Sequence, residues 1–207
     1  MIAARVALCL TSLCAVLIVI ARVAGEMLPM PDFFARYAPD RCGSAWCLLG
    51  VIPGRTTWSE AQHILAAQRG GQVSERQIII VLGRGGEIGF YPALDGGSVG
   101  RIFVHYPAER GLPVGWIIQR YGAPCGVSFY WRARTNILTL RYPRAMVNLK
   151  LQTVAFNPMS PVESIQLDDP AFAPSYQTDR CVDNISDGVN NTVWRGFLNI
   201  ARYGTAQ

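Results

Sequence analysis

Gly54-Arg55-Thr56-Thr57-Trp58-Ser59-Glu60 is the most explicit local instruction in the chain. A hydroxyl at Thr57 followed three residues later by Glu60 is a capping-box start, in which side chains satisfy N–H groups that the first helical turn leaves free. Trp58, Ala61, Ile64, Leu65 and Gln68 then recur at helical spacing, and Arg69-Gly70-Gly71 supplies the stop. Strands follow this helix. Gln77 to Leu82 is a short β-branched run, Gly83, Gly85 and Gly86 make a turn, and Glu87 to Tyr91 and Gly100 to Tyr106 flank Asp95-Gly96-Gly97. Pro107 closes the set.

The plan then repeats. Leu112 to Gly122 reads as a short helix with proline near its start and glycine at its end. Val127 to Arg132, Asn136 to Tyr142 and Met146 to Phe156 read as strands, and Val162 to Leu167 as one more after the Asn157-Pro158 and Ser160-Pro161 break. From Asp169 the chain is rich in turn residues, and Thr192 to Tyr203 spaces Trp194, Phe197 and Ile200 as a terminal helix would. The links between strands are too short for crossover helices, so the sheet is expected to be antiparallel. The expected class is α+β: an N-terminal membrane helix, two helix-then-antiparallel-strands units over 45–107 and 111–167, and a short C-terminal helix.

The membrane helix is expected from Val6 to Ala21, an uncharged run between Arg5 and Arg22. At about 1.5 Å per residue it falls short of a ~30 Å hydrocarbon core, but small apolar residues extend it and both arginines can snorkel. A cleaved signal peptide is the rival reading, with small residues at Val23 and Gly25. Residues 1–25 are thus read as an anchor or leader, 26–41 as a linker with three prolines, and 42–207 as the extracytoplasmic domain. Arg22, Arg36 and Arg41 follow the run, which argues against that orientation. The cysteines argue for it.

There are six cysteines. Cys9 and Cys14 lie in the apolar run, and Cys42, Cys47, Cys125 and Cys181 lie beyond it, with no C-x-x-C and only His63 and His105 as imidazoles. That spacing does not suit zinc, and disulfides outside the cytoplasm are the better expectation for the distal four. Their pairing is open, since four cysteines allow three connectivities. A cytosolic domain whose four reduced thiols could hold a metal is the reading those disulfides would exclude.

Composition sets the remaining bounds. With 207 residues, 50% hydrophobic and 16% charged, the chain is neither disordered nor fibrous. The net charge is +5, and Lys150 is the only lysine among 19 basic residues. Arg132, Arg134, Arg141 and Arg144 are interleaved with Tyr130, Trp131 and Tyr142, a pattern compatible with single-stranded nucleic acid but more typical of a solvated sheet face. No nucleic-acid partner is expected.

Gly50-Val51-Ile52-Pro53-Gly54-Arg55-Thr56-Thr57-Trp58-Ser59-Glu60-Ala61 resembles the opening of small-protein-A-type outer-membrane assembly lipoproteins. Trp116-Ile117-Ile118-Gln119-Arg120-Tyr121-Gly122-Ala123-Pro124 resembles the end of that family's helix before its first strand. Two such units in tandem resemble the architecture of β-lactamase-inhibitor-protein-type domains, over about residues 45–156. The resemblance implies α+β units. The lipid-attachment cysteine of the lipoproteins is missing, and no family residue is carried over.

Few residues suggest chemistry. Cys125, between Pro124 and Gly126, is the candidate nucleophile of a cysteine-dependent hydrolase or transferase, with His63 or His105 as base. Gly83-Arg84-Gly85-Gly86 follows a strand as a phosphate loop does, but a second strand follows where that loop needs a helix. Asp183 to Gly188 lacks the terminal Glu of a calcium loop. No catalytic residue, metal or cofactor is therefore expected. The leading expectation is a non-enzymatic, membrane-anchored extracytoplasmic domain that binds a protein or cell-envelope component. Its binding face is placed on 127–144, with Arg132, Arg134 and Arg141 as contacts.

Overall fold

The computed structural model describes residues 12–17, 36–43, 45–68, 71–83, 85–107, 112–132, 135–143, 145–151, 156–169, 190–192, 194 and 196. They fall into two compact units, 1–38 and 39–207. In the first unit residues 12–17 are helical, and the Arg36 guanidinium sits 5.6 Å from the centre of the Tyr37 ring.

The second unit opens with a hairpin, β1 (Asp40–Cys42) and β2 (Ala45–Cys47), so the first strand starts inside the stretch expected as a linker. Helix α1 (Trp58–Ala66) begins where the capping signal places it. Thr57 Oγ1 accepts from the Glu60 N–H at 3.2 Å, a bond whose loss typically costs ~1 kcal/mol. Its inner face buries Trp58, Ala61 and Leu65, and the Trp58 indole donates to the Glu75 carbonyl. An antiparallel meander follows: β3 (Gly71–Val73), β4 (Ile78–Gly83), β5 (Gly86–Pro92) and β6 (Val99–His105). Gly83 and Gly85 take φ of 77° and 83° in the β4–β5 turn, a conformation glycine adopts without strain.

After β7 (Leu112–Pro113) comes helix α2 (Val114–Tyr121), which buries Val114, Ile117 and Tyr121. A second meander follows: β8 (Gly126–Arg132), β9 (Thr135–Tyr142), β10 (Ala145–Leu151) and β11 (Pro161–Asp168). Last comes β12 (Asn190–Thr192). The meanders do not stay apart. Strand β11 pairs with β6, matching Leu167 to Ile102 and Ile165 to Val104, and fuses them into one antiparallel sheet. Its order is β12-β8-β9-β10-β11-β6-β5-β4-β3, with β7 beside β11.

This overturns the expected architecture. Among the described residues no helix is long and apolar enough to cross a membrane, and the rest of Val6–Ala21 lies outside them. The chain is mostly antiparallel sheet rather than two helix-then-strands units. Helices of nine and eight residues are too small to close separate cores, and the β6–β11 pairing joins the strands into one. The expected C-terminal helix gives way where it can be followed: Thr192 ends β12, which pairs with β8, and Gly196 has φ of 88°.

Strand alternation splits the sheet into two faces. On one, Ile78, Ile80, Ile88, Phe90, Ile102, Val104, Ile165, Leu167, Val147, Leu149, Leu138 and Leu140 are buried with the inner faces of the helices. A fully buried residue of this kind contributes about 1.5–3 kcal/mol. The other face carries the intervening residues and is partly solvent-exposed.

Candidate functional site

The second face is the candidate site, and the strand registers give its layout. One row runs Gly89, Phe103, Gln166, Met146 and Arg141 across β5, β6, β11, β10 and β9. The adjacent row runs Glu87, His105, Ser164, Asn148 and Thr139 across the same strands. Phe103, Gln166, Met146, Arg141, His105, Asn148 and Thr139 are all part-exposed, and Glu87 is exposed.

Side-chain bonds hold this surface in place. Thr139 Oγ1 donates to Asn148 Oδ1 at 2.7 Å, and Asn148 Nδ2 donates to Ser164 Oγ at 3.2 Å, tying three neighbouring strands. Arg101 Nε meets Asp168 Oδ1 at 2.7 Å, and Gln166 Nε2 donates to Asp168 Oδ2 at 2.6 Å. The Phe103 and His105 rings are parallel within 11°, their centres 6.5 Å apart. Tyr91 folds back along β5: a Cβ on Gly89 would lie 2.8 Å from the Tyr91 hydroxyl and 2.9 Å from its ring. Gly89 thus makes room for a tyrosine ring on the open surface.

Arg141 is half-buried at one end of the first row. Its Nε is buried and meets no acceptor, and burial pulls its guanidinium below its usual pKa. An unsatisfied buried donor of a charged group costs more than the ~1–3 kcal/mol of a neutral one. Of the other two arginines expected to bind, Arg132 lies opposite Thr135 in the β8–β9 register, and Arg134 lies outside the described residues. The expected face on 127–144 covers only β8 and β9, whereas the open face continues through β10, β11, β6 and β5. Phe103, Gln166 and Tyr91 were missed. The period-two alternation of Arg101, Phe103 and His105 with Ile102 and Val104 was visible, but not which face the helices would cover.

The cysteines come out as follows. Cys42 and Cys47 form a disulfide with their Cα atoms 5.8 Å apart. Cys125 is disulfide-bonded, with its Sγ 3.2 Å from the Arg141 carbonyl oxygen. In that form it carries no thiolate for nucleophilic attack. Cys14 is free and exposed, and Cys9 and Cys181 lie outside the described residues. His63 is exposed on α1. Asp168 is engaged by Arg101 and Gln166, and Asp179, Asp183 and Asp187 lie outside the described residues. Among the described residues no group of three His, Cys, Asp or Glu side chains is placed to hold a metal ion.

A second cluster braces α2 on the covered side. Trp46 of β2 packs on Tyr121 with ring centres 3.9 Å apart and meets Tyr142 edge-on at 5.5 Å. The Tyr121 hydroxyl donates to the Pro39 carbonyl, Arg41 donates to the Tyr121 carbonyl at 3.3 Å, and Arg120 pairs with Asp40 at 2.8 Å. Burial pushes the phenols of Tyr106, Tyr121 and Tyr142 well above their ordinary range, and the Tyr142 hydroxyl has no hydrogen-bond partner.

No family model matches the chain, and neither does any curated protein. Among solved structures it is similar to a DUF4309 family protein (YjgB) from Bacillus subtilis subsp. subtilis str. 168. That match is 12% identical and covers 57% of this chain and 82% of that chain, with a TM-score of 0.36. At that level the likeness carries no argument.

Proposed function

We propose that the chain is an exported, non-enzymatic domain that binds a protein or cell-envelope component on the open face of its sheet. The observation that carries this reading is the continuous row from Phe103 to Arg141: part-exposed apolar, polar and charged side chains on rigid strands. Side chains on strands are positioned more exactly than side chains on loops, which favours recognition over a broad flat surface. The disulfides at Cys42–Cys47 and at Cys125 favour an oxidising compartment, and the apolar N-terminal segment is a fitting export signal.

The test is retention of the full chain on envelope material from its source cell. Phe103→Ser and Arg141→Ala are expected to reduce retention at least about fivefold, while Gln62→Ala on α1 leaves it unchanged. Equal retention of all three would sink the proposal.

A further inference from the structure

The open face is close to its own complement, and we infer that it docks a second copy of this chain through a two-fold axis parallel to the strands and centred over β11. This rests on the reading of that face as a binding surface and names its partner. The row Gly89, Phe103, Gln166, Met146, Arg141 is centred on Gln166, with β6 and β5 on one side and β10 and β9 on the other. A two-fold axis over β11 therefore lays Phe103 on Met146 of the second copy, sets the two Gln166 amides against each other, and brings Arg141 over Gly89 of the second copy.

Charge complementarity selects this occupant. Gly89 has no side chain, and its neighbours on the same face of β5 are Glu87 and Tyr91. Glu87 is exposed and Tyr91 lies against Gly89. An arginine arriving there meets a carboxylate on one side and an aromatic ring on the other, the two surroundings a guanidinium prefers. Arg141, part-exposed on β9, is the residue that arrives. The symmetry makes the contact twice. Two sheet faces pack about 10 Å apart, within the combined reach of arginine and glutamate, and Phe103 against Met146 supplies the apolar centre. Isologous two-fold contacts of this kind are the commonest route to a homo-oligomer.

The experiment places a photo-reactive benzoylphenylalanine at Gln166 in the full chain, produced in its own compartment with two epitope tags. A matching probe at Gln62 on α1 is the control. The expected result is a covalent adduct at Gln166 that carries both tags, with none at Gln62. Glu87→Arg and Arg141→Glu are each expected to cut that adduct about tenfold, and the double exchange E87R/R141E to restore it to within about threefold. Failure of the double exchange to restore it overturns the pairing. An adduct with a different protein and none with two tags overturns the second copy as occupant and leaves the binding face standing. No adduct of either kind overturns both.

Discussion

The two helices each bury three residues and are held by different means. Helix α1 carries its own start: Thr57 caps it, Glu60 lies in its first turn, and three apolar residues at helical spacing seat it, with the Trp58 indole on the Glu75 carbonyl as an added tie. Helix α2 has no side-chain cap and no acid in its first turn, and Pro113 and Gly122 only mark its ends. Its stability comes from elsewhere in the chain, from Trp46 against Tyr121, from Arg41 and Pro39 on Tyr121, and from Asp40 on Arg120. Where local rules suffice a helix can be read from a dozen residues. Where a distant hairpin does the work, proline and glycine still mark the ends, as over Leu112 to Gly122, but what holds the helix cannot be read locally.

Breaking the clamp should separate the two helices most sharply. Trp46→Ala removes the ring between Tyr121 and Tyr142 and should cost about 3–5 kcal/mol in urea unfolding. Amide exchange should quicken over 114–121 and hold over 58–66. Equal loss of protection in both helices would break the comparison.

Alkali should strike the same corner. Unfolded tyrosines ionise near pH 10, whereas burial keeps Tyr106, Tyr121 and Tyr142 protonated above that. The contribution of these phenols is complete below pH ~10 and is lost as pH rises through their raised folded values. The loss is at most about 4 kcal/mol per pH unit if all three stay protonated. The share of tyrosinate absorbance that is lost in the Tyr106→Phe, Tyr121→Phe and Tyr142→Phe variants should rise together with unfolding. That share rising in a still-folded chain would mean that the aromatic cluster is open to solvent.

Smaller effects sharpen the contrast from the other helix. Thr57→Ala should cost ~1 kcal/mol and raise exchange in the first turn of α1 alone, with Thr57→Ser recovering most of it. Smallest is Asp40→Asn, since both partners of the Asp40–Arg120 pair are more than half exposed. It should cost under about 1 kcal/mol and lose its effect in molar salt. Arg120 holds the Asp40 carboxyl below its usual range, so this contribution is present above pH ~4 and disappears as pH falls through the lowered value.

The same division explains what was legible in the sequence. The Thr57 cap, the glycine turn at Gly83–Gly86 and the alternation in β5 and β6 are local, and the elements form where they point. The hairpin at Asp40–Cys47 was not seen, because its three-residue strands carry no periodic signal and depend on Trp46 finding Tyr121. The pairing of β6 with β11 was not seen either. Nothing in Ile102 or Ile165 names its partner, so two units were expected where there is one sheet. Thr192 to Tyr203 was read as a helix from its apolar spacing, but the free edge of β8 takes Asn190–Thr192 as a strand. Of the site, Arg141 was named from its composition. Its neighbours on the row come from strands far apart in the chain, and no local pattern joins them.

The β6–β11 seam also orders events in time. Each meander closes between strands adjacent in the chain, but the seam must bring together segments separated by a helix and four further strands. Closing so long a loop costs entropy before any contact repays it, and pairing of this kind slows folding. Until β11 arrives, β6 presents a bare edge of unpaired amides and carbonyls. That edge is where a nascent or refolding chain is exposed to capture, whether by a chaperone or by the β11 of another molecule in a domain swap.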